Sequence, residues 1–196
     1  MHARKKILLI IAVPIFLLIV YVGWAYNKLI DKQERVDKAW GDVQNTYQRR
    51  ADLVPSIVSV VKGLSDYESE TMVSVVAART KSAMAELSTV EPGDEGVREQ
   101  AVMQDSLAVS FNRVLAVVER YPDLRGTTAY LNLQTQLEGT ERRVKIARQD
   151  FNAAVAEYNK VVRKGSTGFV AKLFGFKVRE PFQADPGADH SVEIKF

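Results

Sequence analysis

Stepping alternately by four and three residues from Val36 meets Trp40, Val43, Tyr47, Arg50, Val54, Ile57, Val61 and Leu64, and only Arg50 is polar. A stripe at this spacing lies along one face of a helix, whereas a strand needs alternation at every second residue. A second walk runs from Val97 through Ala101, Gln104, Ala108, Phe111, Leu115 and Val118. A third runs from Tyr130 through Leu133, Leu137, Thr140, Val144, Ala147, Phe151, Ala154, Tyr158 and Val161. Met72, Val76, Ala83 and Leu87 repeat the pattern more weakly, and no strand pattern competes.

The breaks agree with the stripes. Gly63 ends the first, Ser65-Asp66-Tyr67-Glu68 is a capping box, Pro92-Gly93 marks a loop, and Tyr121-Pro122-Asp123 with Gly126 separates the last two. These signals predict an all-α chain with helices near 7–63, 66–88, 95–120 and 127–163, then an irregular tail. Short connections make neighbours antiparallel, as in a four-helix bundle. Pro55 conflicts with the first helix, because an internal proline removes a hydrogen bond. The apolar register continues through it, so a bend is expected rather than two helices meeting end to end.

Ahead of the bundle, Ile7–Tyr26 holds no charged side chain. About 20 such residues at ~1.5 Å each span a bilayer's hydrocarbon core. Tyr21, Trp24 and Tyr26 crowd its end as an interfacial belt would, and Pro14 is tolerated better in such a helix than in a soluble one. A cleaved signal peptide is the competing reading. The run is longer than an ordinary h-region and lacks a small-residue cleavage site, so an uncleaved anchor is expected. Arg4, Lys5 and Lys6 precede the run and Lys28, Lys32, Arg35 and Lys38 follow it. Keeping the short cationic tip inside places the domain outside the cytoplasm. Four regions result: tip and anchor 1–26, bundle 27–164, an aromatic and basic segment 165–183, and a flexible end 184–196.

Charge and composition narrow the function. The chain has 27 Lys+Arg against 24 Asp+Glu, and the surplus is accounted for by Arg4, Lys5 and Lys6, so no basic face invites nucleic acid. There is no cysteine, and the two histidines, His2 and His190, lie at opposite ends. Disulfides, thiolate metal sites, cysteine nucleophiles and most histidine-base chemistry go with them. No cofactor is expected.

Arg50 falls on the apolar stripe, so its guanidinium must reach solvent or be paired inside the bundle. Glu138 and Glu141 lie one turn apart on the last helix, and a buried pair of Arg50 with either would set register between helices. Arg49, Arg50 and Asp52 could instead line a pocket for an anion or peptide. Di-iron bundles need Glu-x-x-His motifs, which this bundle lacks; a carboxylate-only Ca²⁺ or Mg²⁺ site is a lesser alternative. Four aromatic–asparagine pairs recur, Tyr26-Asn27, Phe111-Asn112, Phe151-Asn152 and Tyr158-Asn159. They either cap the stripe's edge by hydrogen bonds or form a polar ladder between protomers. Valines off the stripes, Val58, Val60, Val73, Val75, Val114 and Val117, widen the apolar surface as self-association would.

In the tail, Phe169, Val170, Leu173, Phe174, Phe176, Val178 and Phe182 interleave with Lys172, Lys177 and Arg179. Such a segment fits a membrane interface, and it equally fits a plug for one end of the bundle. Both remain open at this level.

Particular strings bring a resemblance. They are Tyr26-Asn27-Lys28-Leu29-Ile30, Ala39-Trp40, Gln48-Arg49-Arg50-Ala51-Asp52-Leu53-Val54-Pro55, Val61-Lys62-Gly63, Tyr121-Pro122-Asp123-Leu124, Leu137-Glu138-Gly139-Thr140-Glu141, Ala147-Arg148, Tyr158-Asn159 and Leu173-Phe174-Gly175-Phe176-Lys177. In this order the chain resembles the LemA family of bacterial membrane proteins. It departs from the family at Lys164-Gly165-Ser166, where a Phe-Pro pair is usual. The resemblance implies an N-terminal anchor and a helical bundle, no agreed enzymatic activity, and relatives linked to membrane-bound compartments.

The expected protein is a non-enzymatic, single-pass scaffold of the bacterial inner membrane. It self-associates and organises membrane or partner proteins, with the lipid bilayer, a second copy and a membrane protein as its partners. A ligand- or peptide-binding or sensory module using Arg49 and Arg50 is the alternative.

Overall fold

The stripes beginning at Val97 and Tyr130 each lie on one helix, and the stripe beginning at Val36 runs over two, with Leu64 outside the described residues. The computed structural model describes residues 2–62, 70, 72–73, 76–77, 94–121, 123 and 126–183. Its helices are α1 (His2–Ala51), α2 (Val54–Val61), α3 (Asp94–Val118), α4 (Thr128–Arg163) and α5 (Gly165–Leu173). Among the described residues there is no strand, and the chain is an all-α bundle. The second helix expected from sequence lies mostly outside the described residues; Met72, Val73 and Val76 are helical and pack into the core.

α1 and α4 are antiparallel and in register over nearly their whole common length. Arg50 meets Glu141, Tyr47 meets Arg148, Trp40 stacks on Phe151 at 5.6 Å, and Lys32 reaches Glu157. Leu29 and Val161 close the same seam near the start of the bundle. α3 runs parallel to α1, with Gln104 beside Arg50 and Val118 in the far cluster with Ile57 and Val61. Thr127 caps α4 by accepting from the Tyr130 amide at 3.2 Å.

The core stacks in three layers along this axis. The distal layer joins α2, α3 and the first half of α4; the middle layer joins Val36, Trp40, Val43 and Tyr47 to Val97 and the second half of α4. The proximal layer contains no α3 residue. There, Val170 and Ala171 of α5 cover Ala25 and Leu29 of α1 and Val161 of α4. α1 and α4 outlast α3, and the chain's own tail covers the face this leaves bare.

Four expectations change. The rod does not bend through Pro55: α1 ends at Ala51, Asp52–Leu53 form a turn, and α2 begins at Val54. Pro55 then sits in the first turn of a new helix, where its missing N–H costs least. The stripe on α3 is rotated. Val97, Gln104, Phe111 and Val118 are buried as expected, but between them lie Gln100, Leu107 and Val114 rather than Ala101, Ala108 and Leu115. Steps of four-three and three-four share every seventh residue, so with Gln104 common to both, the polar Gln100 hid the true face. The tail is not irregular throughout, because α5 occupies its first half. Finally, Ala25 is fully buried and Tyr21 and Val22 pack partly against α5 and α4, so bundle packing begins before residue 26.

Candidate functional site

Arg50 is the largest fully buried side chain among the described residues, at 2% exposure. Its Nη2 donates to both carboxylate oxygens of Glu141 at 2.7 Å, and its Nη1 donates to the Gln104 carbonyl at 3.0 Å. The pair is lopsided: the Glu141 side chain is 51% exposed, so only the cation is removed from water. One residue thus ties α1 to α3 and α4 at the level where all three meet. The other members of the sequence cluster stay apart. Arg49 is exposed, Asp52 is exposed and accepts from Gln48, and Glu138 is exposed and accepts from Gln134.

About two turns from Glu141 towards the proximal end, Arg148 makes a parallel tie. Its Nε donates to the Tyr47 hydroxyl at 3.0 Å and its Nη2 to Asp105 at 2.7 Å. Burial pushes the Tyr47 hydroxyl above its usual range, only partly offset by Arg148. Burial also opposes the Arg148 charge, but Tyr47 and Asp105 outweigh it and hold the guanidinium above its ordinary value.

Arg50, Asp105, Glu141 and Arg148 line a groove of about 1040 Å³ between α3 and α4. Asn112, Lys145, Gln149, Asn152, Phe182 and Gln183 are also among its lining residues. Both arginines are held by carboxylates, so the groove offers a ligand one lysine and several amides. No group of three metal-ligating side chains occurs among the described residues.

Beyond α5 the chain doubles back along α4 as an extended strap. Asn159 receives the Arg179 amide at 2.9 Å and donates to its carbonyl at 2.7 Å. Asn152 does the same for Phe182, at 2.8 and 3.1 Å. The two asparagines are seven residues apart, a rise of about 10.5 Å on a helix. Arg179 and Phe182 are three residues apart, about 10 Å of extended chain. The matched lengths let two side-chain amides act as a neighbouring strand would. Between them, Arg179 pairs with Asp37 at 2.6 Å and Glu180 with Arg98. Phe182 lies against Trp40 and Phe151, under the Arg148 guanidinium.

The tail residues therefore divide. Phe176 and Phe182 are partly buried on the bundle, and Tyr158 donates to the Lys177 carbonyl while the lysine side chain stays exposed. Phe169, Leu173 and Phe174 are 73%, 66% and 50% exposed at the proximal end. Sequence reasoning passed over Arg148, Tyr47 and Asp105 as a polar unit. Asn152 and Asn159 stood out as seam-edge asparagines, but their partner was visible only as an unassigned tail. The available signal was the heptad interval of the two Phe/Tyr-Asn pairs.

The sequence profile of the LemA family matches residues 39–196. The magnetosome protein MamQ of Magnetospirillum gryphiswaldense is 24% identical, over 96% of this chain and 77% of its own length. Magnetosome protein MamQ 2 of Paramagnetospirillum magneticum is 35% identical over 42% of this chain and 30% of its own. Protein LemA of Metamycoplasma hominis is 24% identical, over 84% of this chain and 71% of its own.

Proposed function

The chain belongs to the LemA family, and on that footing we propose that it is a non-enzymatic, single-pass scaffold that self-associates and organises membrane or partner proteins. One observation carries the reading: α1 runs unbroken from the apolar N-terminal segment into the bundle, and Tyr21, Val22 and Ala25 are already packed. A domain joined to its anchor without a linker holds a fixed attitude to the bilayer, which is what a scaffold requires. Relatives named as magnetosome proteins support a membrane-associated helical protein. The charged groups at the bundle's centre are engaged with one another, as suits register rather than turnover.

Self-association is favoured by exposed apolar side chains on the bundle. Val102 and Val109 lie seven residues apart on one face of α3, 62% and 53% exposed, and Leu131 and Ile146 project from α4. The full chain in mild detergent should form particles of several copies by light scattering, and Val102→Glu with Val109→Glu should reduce them to single chains. Single chains in the unaltered protein at every concentration would remove self-association from the reading.

The groove beside Phe182 favours a second reading, in which the bundle binds a ligand or peptide. Ligand-dependent melting of a single-chain particle, lost in Lys145→Glu, would favour it over the scaffold.

A further inference from the structure

We infer that α5 lies in the headgroup layer of an anionic bilayer and forms, with the foot of α1, a lipid-binding collar that is a second membrane attachment. The inference rests on the anchor reading above, and three observations carry it.

The first is that α5 is apolar on two sides. Its inner residues Thr167, Val170 and Ala171 are buried against α1 and α4. Its outer residues Phe169 and Leu173, one turn apart, are 73% and 66% exposed, and Phe174 beside them is 50% exposed. A nine-residue surface helix facing water would carry polar residues there.

The second is level. The Tyr26 ring packs tilted against Phe174, centroids 4.9 Å apart, and edge-on against Phe176 at 5.9 Å, so α5 sits beside the end of the uncharged run. From Ile11 to Val20 every side chain is exposed, and Trp24 is 54% exposed. When that run spans a bilayer, Trp24, Leu173 and Phe174 share one height, the layer where aromatic rings partition.

The third is charge. Residues 21–30 and 160–178 contain six Lys or Arg and no Asp or Glu; Arg179, the next residue, is already paired with Asp37. The first carboxylates lie farther up the bundle, Asp31 and Glu157, and they already contact Arg35 and Lys32. A ring of cations around exposed aromatic and aliphatic groups fits acidic headgroups over acyl chains. A second copy of the chain would bring the same cations and repel.

The chain has no cysteine, so single cysteines introduced into the full-length protein accept a nitroxide at one place. Labels at Phe169→Cys and Leu173→Cys, in nanodiscs with and without phosphatidylglycerol, are compared with Phe16→Cys inside the span and Glu119→Cys at the distal end. In the anionic discs, collision with a water-soluble nickel chelate should be severalfold lower at 169 and 173 than at 119, with oxygen collision raised. Adding Lys172→Glu and Lys177→Glu should move the Leu173 label to aqueous values and leave the Phe16 label in the bilayer. A Leu173 label as open to nickel as Glu119, with Phe16 still embedded, overturns the collar and spares the anchor. An embedded label indifferent to the two glutamates overturns the electrostatic half. Loss of both collisions with rising protein density assigns the face to a second copy. A Phe16 label open to water sinks the anchor and the collar together.

Discussion

Arg50 and Glu141 show how burial decides which half of an ion pair matters. Removing Glu141 leaves a guanidinium 2% exposed without its counter-charge, while removing Arg50 leaves a carboxylate already half in water. Losing one partner of a buried pair costs roughly 3–5 kcal/mol when the remaining charge stays buried. Glu141→Gln should therefore destabilise the bundle by about that much in chemical unfolding, Arg50→Met by clearly less, and the double variant should resemble Arg50→Met. Strict additivity would mean that the pair does not act as a unit. Tyr47 gives a pH dependence of known sign. Its folded-state pKa is raised above 10.0, so the neutral phenol is favoured in the fold. Stability from this group is full below pH 10 and falls as pH rises through the unfolded and then the folded value. Tyr47→Phe should flatten the alkaline side of the stability profile.

Among the elements, the strap and its corner are the most dependent on single residues. Each strap asparagine makes two hydrogen bonds, a net of about 1–3 kcal/mol apiece. Asn152→Ala or Asn159→Ala should free the strap and speed trypsin cleavage after Lys177 and Arg179, with overall helicity unchanged. At the corner, Lys164 is extended, and the Thr167 hydroxyl donates to the Val161 carbonyl at 2.6 Å. A Cβ on Gly168 would lie 2.9 Å from the Val162 carbonyl oxygen, whereas one on Gly165 would meet nothing within 4 Å. Gly168→Ala should lower the melting temperature of the full chain, and Gly165→Ala should be neutral or slightly stabilising. Gly175 ends α5 at φ +78, with the Phe176 amide bonded to the Ala171 carbonyl at 2.9 Å. This left-handed cap turns the chain from helix to strap. The departure at Lys164-Gly165-Ser166 is thus accommodated by a tight turn without proline.

Across the whole molecule, the unequal helix lengths organise everything else. α1 and α4 extend past α3, and the bare proximal face is covered by α5 and the strap. The apolar windows of the two long hydropathic helices differ in how they are covered. That of the α1–α2 rod, beginning at Ile11, is 11% buried within the molecule and that of α3 is 33% buried. α3 satisfies its apolar face with Leu107, Phe111, Val114 and Val118 inside the core, while from Ile11 to Val20 every side chain is exposed. Of the tail's two readings in the sequence, the plug describes one half of the segment and leaves the other half exposed. Phe176 and Phe182 fill the bundle, while Phe169, Leu173 and Phe174 face outward.

Periodicity and the breakers between stripes determined that the chain is helical, where α3 and α4 begin and end to within two residues, and that Arg50 had either to reach solvent or to find a partner inside the bundle. These follow from local rules, because a four-three stripe, a cap and a breaker act within a few residues of themselves. Which glutamate Arg50 takes depends on the α1–α4 register, summed over contacts a hundred residues apart in the chain. The same is true of the face α3 buries: Gln100 looks like a solvent residue, off the expected stripe, until neighbouring helices close over it. Gln104 then meets Arg50, and the Gln100 amide has no partner among the described residues. Asn152 and Asn159 announce only that the seam has a polar edge. That an extended strap lies against that edge follows from helix length and the turn at Gly175, and only the assembled bundle brings those together.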